Sequence, residues 1–106
     1  MNRRIQLAIT LAVLAIAGVA GADDSATVKV FQDKCATCHG ADGKARTTMG
    51  KQLKVKDWND GKTLNSLSDA DISKEIKVGK ALMPGYPELS VDQLKALVDY
   101  VRTFQR

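Results

Sequence analysis

Ligand-bearing side chains are scarce in this chain. Its 106 residues include one histidine and two cysteines, and all three fall in one five-residue string, Cys35-Ala36-Thr37-Cys38-His39. A structural zinc site takes four Cys or His ligands, usually in two separated pairs, so three such groups with two of them adjacent argue against one. Two cysteines allow at most a single disulfide, and a Cys35–Cys38 bridge would close too short a loop to constrain much chain. Aromatic residues are few and do not interleave with basic ones, and no block of lysine or arginine occurs. A nucleic-acid surface therefore has little support. Strand-like alternation is missing as well, which removes the sheet beside which a thioredoxin-type Cys-x-x-Cys opens a helix. Nothing repeats at a fixed period, and no segment after the amino-terminal apolar run is low in complexity.

That run has the layout of an export signal. Met1-Asn2-Arg3-Arg4 is a short positive start, residues 5–19 are almost uninterruptedly apolar, and Ala20-Gly21-Ala22 is a small-x-small cleavage site ahead of Asp23-Asp24. The alternative is an uncleaved anchor, since residues 5–22 approach the ~20 apolar residues that span a bilayer. Gln6 and Thr10 weaken the span, and the small residues at its end favour cleavage after Ala22. Residues 1–22 are therefore read as a signal peptide, residues 23–106 as one small domain, and the destination as the periplasm, with no stable membrane insertion after cleavage. With Arg3 and Arg4 removed, 14 basic residues face 12 acidic ones, so the net charge falls from +4 to +2. A domain this small buries a modest share of its surface and usually needs a staple.

The Cys-x-x-Cys-His string can supply that staple. Two thiols and an adjacent imidazole suit covalent haem attachment, each thiol adding across one vinyl group while the imidazole reaches the iron. Around it the chain reads as helices joined by glycine-bearing loops. Val28, Phe31 and Cys35 share one face of a helix that starts near residues 25–27 and delivers the motif at its end. Asp23 and Asp24 suit the positive end of its dipole. Gly40, Gly43 and Gly50 mark a loop with a short turn over residues 52–55. Ser68 with Asp71 looks like a capping box for a helix over 69–78, stopped by Gly79. Ser90 with Gln93 caps a last helix reaching about residue 105, with Leu94, Leu97, Val98, Val101 and Phe104 along one side. The fold class is all-α.

No second histidine exists to fill the other axial position. Met83, in Ala81-Leu82-Met83-Pro84-Gly85-Tyr86-Pro87, lies in a loop between two helices, where Pro84 restricts the backbone on both sides. A Met with a His is a standard haem pair. The plain alternative is Met83 as adaptable core filler, and the rival ligand is Met49, close behind His39 with no bracing proline.

Taken together, Cys-x-x-Cys-His after a short aromatic-bearing helix, the Met-Pro loop and a closing helix with Tyr100-Val101-Arg102 resemble the class I c-type cytochromes, specifically the small exported bacterial monohaem kind. The resemblance covers the whole chain after the signal. It implies one haem c held by thioethers at Cys35 and Cys38, His39 as proximal and Met83 as distal iron ligand, and Phe31 packed near Tyr100 where the terminal helices cross. Thr27 departs from a glycine frequent in that family, and residues 40–82 lack the proline whose neighbouring carbonyl often orients the proximal imidazole. With both axial positions filled by protein, one-electron exchange is expected rather than substrate turnover. The chain is thus expected to be an electron carrier and not an enzyme, a monomer serving redox protein partners, with Lys34, Lys44 and Lys80 among the lysines that attract acidic docking surfaces. A gas-binding haem protein with a weakly held Met83, and a subunit of a larger respiratory complex, are the competing functions. Trp58 is expected either to reach a haem propionate with its indole N–H or to plug the loop, and Tyr86 either to close the distal side or simply to pack.

Overall fold

Asp24 opens the first helix by accepting a hydrogen bond from the Ala26 amide at 2.9 Å, which satisfies one of the free donors of the first turn. The computed structural model describes residues 24–105, and the expected signal peptide, with Asp23, lies outside them. Among these described residues five helices follow in order: α1 (Ser25–Lys34), α2 (Ala36–His39), α3 (Thr48–Gln52), α4 (Asp69–Val78) and α5 (Val91–Arg102). Among the described residues there is no β-strand, only an isolated bridge between Lys80 and Met83. The all-α class expected from the sequence is what the structure has.

Both capping boxes form. Ser68 Oγ accepts from the Asp71 amide while the Asp71 carboxylate accepts from the Ser68 amide, and Ser90 with Gln93 repeats the exchange at α5. Gly79 ends α4 with φ +85°, a conformation that suits glycine. Three boundaries differ from the sequence reading. The first helix, expected to carry Cys35 on its face and the motif at its end, stops at Lys34 with Cys35 as its cap, and the chain restarts as α2 inside the motif. The turn expected over 52–55 is present at residues 53 and 54, but it follows an unexpected helix, α3, which the Thr47 hydroxyl starts by accepting from the Gly50 amide. The last helix stops at Arg102, after which residues 103 and 104 form a turn whose Thr103 Oγ1 donates to Tyr100 O.

The core lies between α1, α4 and α5, where Phe31, Ile72, Ile76, Leu94, Leu97, Val98 and Val101 are buried together with Leu64 and Leu89. Phe31, fully buried, meets the Tyr100 ring edge-on at 5.0 Å, so the terminal helices cross where the resemblance implies. Burying a side chain of this size contributes roughly 1.5–3 kcal/mol. Thr27, at the position where glycine is frequent in the family, is also buried. Arg102 closes the other end: Nη1 donates to Leu64 O and Nη2 to Leu67 O, both at 2.6 Å, and Nε pairs with Asp69 at 2.9 Å. One guanidinium fork thereby pins the irregular segment before α4 onto the last helix.

Candidate functional site

The break at Cys35 shapes the motif. The Cys35 amide ends α1 on Phe31 O, and the Cys35 carbonyl then accepts from both Cys38 and His39. The two sulfurs and the imidazole are thus carried on one tight turn, closed by Gly40 at φ +77°. From outside, Thr47 Oγ1 donates to Thr37 O at 2.6 Å and anchors α3 against the motif. Cys35 and Cys38 are not bonded to each other. Burial pushes the Cys35 thiol up to about 11, against a smaller opposing pull from Lys34. A thiol so shifted is a poor nucleophile for disulfide exchange.

His39 is half-buried, and burial lowers its imidazole to about 4. It is therefore neutral, the form that binds metal. Its Nδ1 is buried and meets no protein hydrogen-bond partner, a costly arrangement unless another group engages the ring. No backbone carbonyl takes the orienting role that the missing proline left open. What holds the ring instead is Trp58, whose indole stacks on it with centroids 4.1 Å apart and planes 16° from parallel. Trp58 is itself half-buried.

Two neighbouring cavities, of about 400 and 490 Å³, meet at this point. Cys35, His39, Lys56, Lys80 and Met83 line both, making them two lobes of one cleft of the size that takes a cofactor. Leu64, Ile76 and Leu97 supply apolar wall in the first, Cys38 and Tyr86 complete the second. Met83 reaches the cleft from a two-residue reversal in which the Met83 and Lys80 amides each bond the other's carbonyl, at 3.0 and 3.1 Å. The structure therefore gathers all four predicted residues, Cys35, Cys38, His39 and Met83, around one space. Met49, the rival, lies on the exposed side of α3 and borders neither lobe. An unsatisfied imidazole, two thiols, a thioether and apolar walls fit an iron porphyrin by donor chemistry and by shape.

Comparison with known proteins agrees. The family model described as cytochrome c oxidase, cbb3-type, subunit III matches residues 22–101. The chain belongs to that family of c-type cytochromes. It is 36% identical over 96 residues to the cbb3-type cytochrome c oxidase subunit FixP of Azorhizobium caulinodans, covering 86% of this chain and 31% of that protein, so it spans about a third of its relative's length. The solved KustC0563 c-type cytochrome superposes with a TM-score of 0.67 at 32% identity, over 76% of this chain and 98% of that one. A point mutant of KustC0563 gives 0.65 at 33% identity, over 74% and 98%. A cytochrome c domain implies covalently bound haem and an electron-transfer role.

Three further residues build this cytochrome's site in ways the sequence pattern does not show. Thr47 anchors the motif, Arg102 holds the wall segment carrying Leu64 and Leu67, and Gly50 lets α3 approach Cys38. In the sequence Gly50 marks a loop and Arg102 belongs to the closing-helix string Tyr100-Val101-Arg102, but neither pattern shows the contact it makes.

Proposed function

We propose that residues 1–22 are removed on export and that residues 23–106 act in the periplasm as a one-electron carrier with one haem c. In this reading Cys35 and Cys38 form the thioethers, His39 and Met83 are the axial ligands, and no substrate is turned over. Bound haem would supply the ferric–ferrous couple. The chain's own residues do the rest: Trp58 steadies the imidazole, apolar side chains keep water from the cleft, and Met83 occupies the position where a small ligand would otherwise bind. Thioether ligation and burial both favour the reduced state. The single observation that carries this is Met83 and His39 lining both lobes of the cleft together with Cys35. Redox protein partners would dock at the second lobe, whose lining includes Lys34, Lys54, Lys56 and Lys80.

The test is an absorption spectrum of the oxidised and reduced protein beside Met83→Ala. The wild type should be low-spin in both states and slow to bind carbon monoxide or cyanide; the variant should turn high-spin when oxidised, bind both quickly and have a lower potential. A wild type that is already high-spin sinks the carrier role, and an amino terminus other than Asp23 on the periplasmic protein sinks the cleavage. The family description and the FixP relative favour a second reading, a domain that serves an oxidase complex from within. Copurification with membrane oxidase subunits distinguishes it from a free carrier.

A further inference from the structure

Tyr86 lies three residues beyond Met83 and is bonded in two directions. Its amide donates to Ile76 O at 2.8 Å, fastening the loop to the last turns of α4. Its hydroxyl donates to Lys34 O, also at 2.8 Å, across 52 positions of sequence. Lys34 is the last residue of α1 and the immediate neighbour of Cys35. The Lys34 ammonium also stands 5.1 Å from the centre of the Tyr86 ring and pairs with Glu88 at 3.2 Å. One aromatic side chain thus crosses from the methionine loop to the backbone that carries the first cysteine, along a wall shared with Cys35, Cys38, His39 and Met83.

The loop needs such a tie. Both its ends hang from α4: Gly79 closes the helix, and a Cβ on Gly85 would stand 2.6 Å from Val78 O. Its tip points outward, with Ala81 at φ +52° and Leu82 exposed by 72%. Across to the cysteine side, the Lys34–Glu88 ion pair is partly exposed, and such pairs are worth little. The Tyr86 hydroxyl bond is part-buried and neutral, so solvent screens it less. Burial also raises the phenol above its ordinary range, keeping it a donor.

We infer that Tyr86 is a positioning residue whose hydroxyl latches the Met83 loop to the Cys35 side of the cleft and so sets how readily the methionine yields to a competing iron ligand. This rests on the His39 and Met83 ligation proposed above. Removing the hydroxyl alone should loosen the loop by about one hydrogen bond's worth, while the ring, its packing and the lysine above it stay in place.

The experiment titrates imidazole into the ferric holoprotein and follows the spectral change. Tyr86→Phe should bind imidazole roughly three- to tenfold more tightly than wild type, the ratio a single lost hydrogen bond corresponds to. Glu88→Gln, which breaks the ion pair, and Ser68→Ala, which removes a distant cap at a cost in global stability, should both stay within about twofold of wild type by the same arithmetic. Met83→Ala sets the fully open limit. If Met83→Ala opens the iron while Tyr86→Phe matches wild type, the latch is refuted and the ligation stands. If Ser68→Ala tightens imidazole binding as much as Tyr86→Phe, the effect is general loosening and the latch is again refuted. Should Met83→Ala itself match wild type, the ligation reading falls and the latch with it.

Discussion

Single side chains decide how the rim of the cleft is held. Asp60 Oδ1 accepts from the Lys62 and Thr63 amides, each at 2.8 Å, and Oδ2 accepts from the Thr63 hydroxyl. Those bonds, the Thr63 hydroxyl foremost, pull the carboxyl down to about 2. Thr63 begins the stretch that, with Leu64, Ser66 and Leu67, walls the first lobe. A carboxyl whose folded pKa lies below its unfolded one, ordinarily near 3.9, contributes stability that is complete above roughly pH 4 and fades as pH falls through the folded value. Urea midpoints measured between pH 5 and about pH 2 should therefore drop for wild type, and Asp60→Asn should flatten part of that drop. Parallel curves for the two proteins would show that the turn carries no such linkage. The residue scale is also where sequence legibility was most uneven. Cys35, Cys38, His39 and Met83 stood out because each type is rare and their order is constrained. Thr47 and the Tyr86–Lys34 bond did not, and Arg102 showed only as part of the closing-helix string, since each acts on a backbone carbonyl brought close only by the fold.

At the scale of elements, the short helices matter more than the long ones. Helices α4 and α5 were readable to within a few residues because their caps are local: Ser68 with Asp71 and Ser90 with Gln93 need only three residues of chain. The break at Cys35 was not readable, and the Thr47 cap of α3, though local, lacks the reciprocal side chain of a capping box; α3 then seats against the motif turn. Gly50 is the contact. A Cβ there would be driven into Cys38 O and would stand 2.6 Å from Ala45 O, both backbone atoms that cannot rotate aside. Gly50→Ala should therefore destabilise the protein by about 1–3 kcal/mol, the usual cost of overpacking, and lower the yield of haem-loaded protein. The neighbouring Thr48→Ala, on an exposed position of the same helix, should change stability by no more than about 0.5 kcal/mol. Denaturant unfolding of both variants gives the comparison, and equal midpoints would mean that α3 does not need its close approach.

For the whole molecule, the question is where a partner meets a chain of such mild net charge. With residues 1–22 removed as proposed, a surplus of two positive charges spread evenly would steer little; four lysines at one opening can do more, because a low-dielectric cleft concentrates their field. Lys34, Lys54, Lys56 and Lys80 border the second lobe beside exposed Ala81 and Leu82, whereas Lys44 borders neither lobe. The sequence suggested Lys34, Lys44 and Lys80 alike; the fold separates Lys44 from the other two. Lys34 and Lys80 are each already paired with a glutamate, Glu88 and Glu75, so the test falls best on Lys54 and Lys56. Exchanging both for glutamate should slow electron exchange with an acidic redox protein about tenfold at low salt, within the range that steering produces. The gap should shrink as ionic strength rises past roughly 0.1 M, where charges are screened over about 10 Å. Lys44→Glu changes net charge in the same direction away from the cleft, and its rate should stay within about twofold of wild type if position matters more than total charge. Stopped-flow rates across a salt series decide it. A Lys44→Glu loss as large as a single Lys56→Glu loss would mean that the molecule attracts partners by its overall charge and that the lobe has no special part in docking.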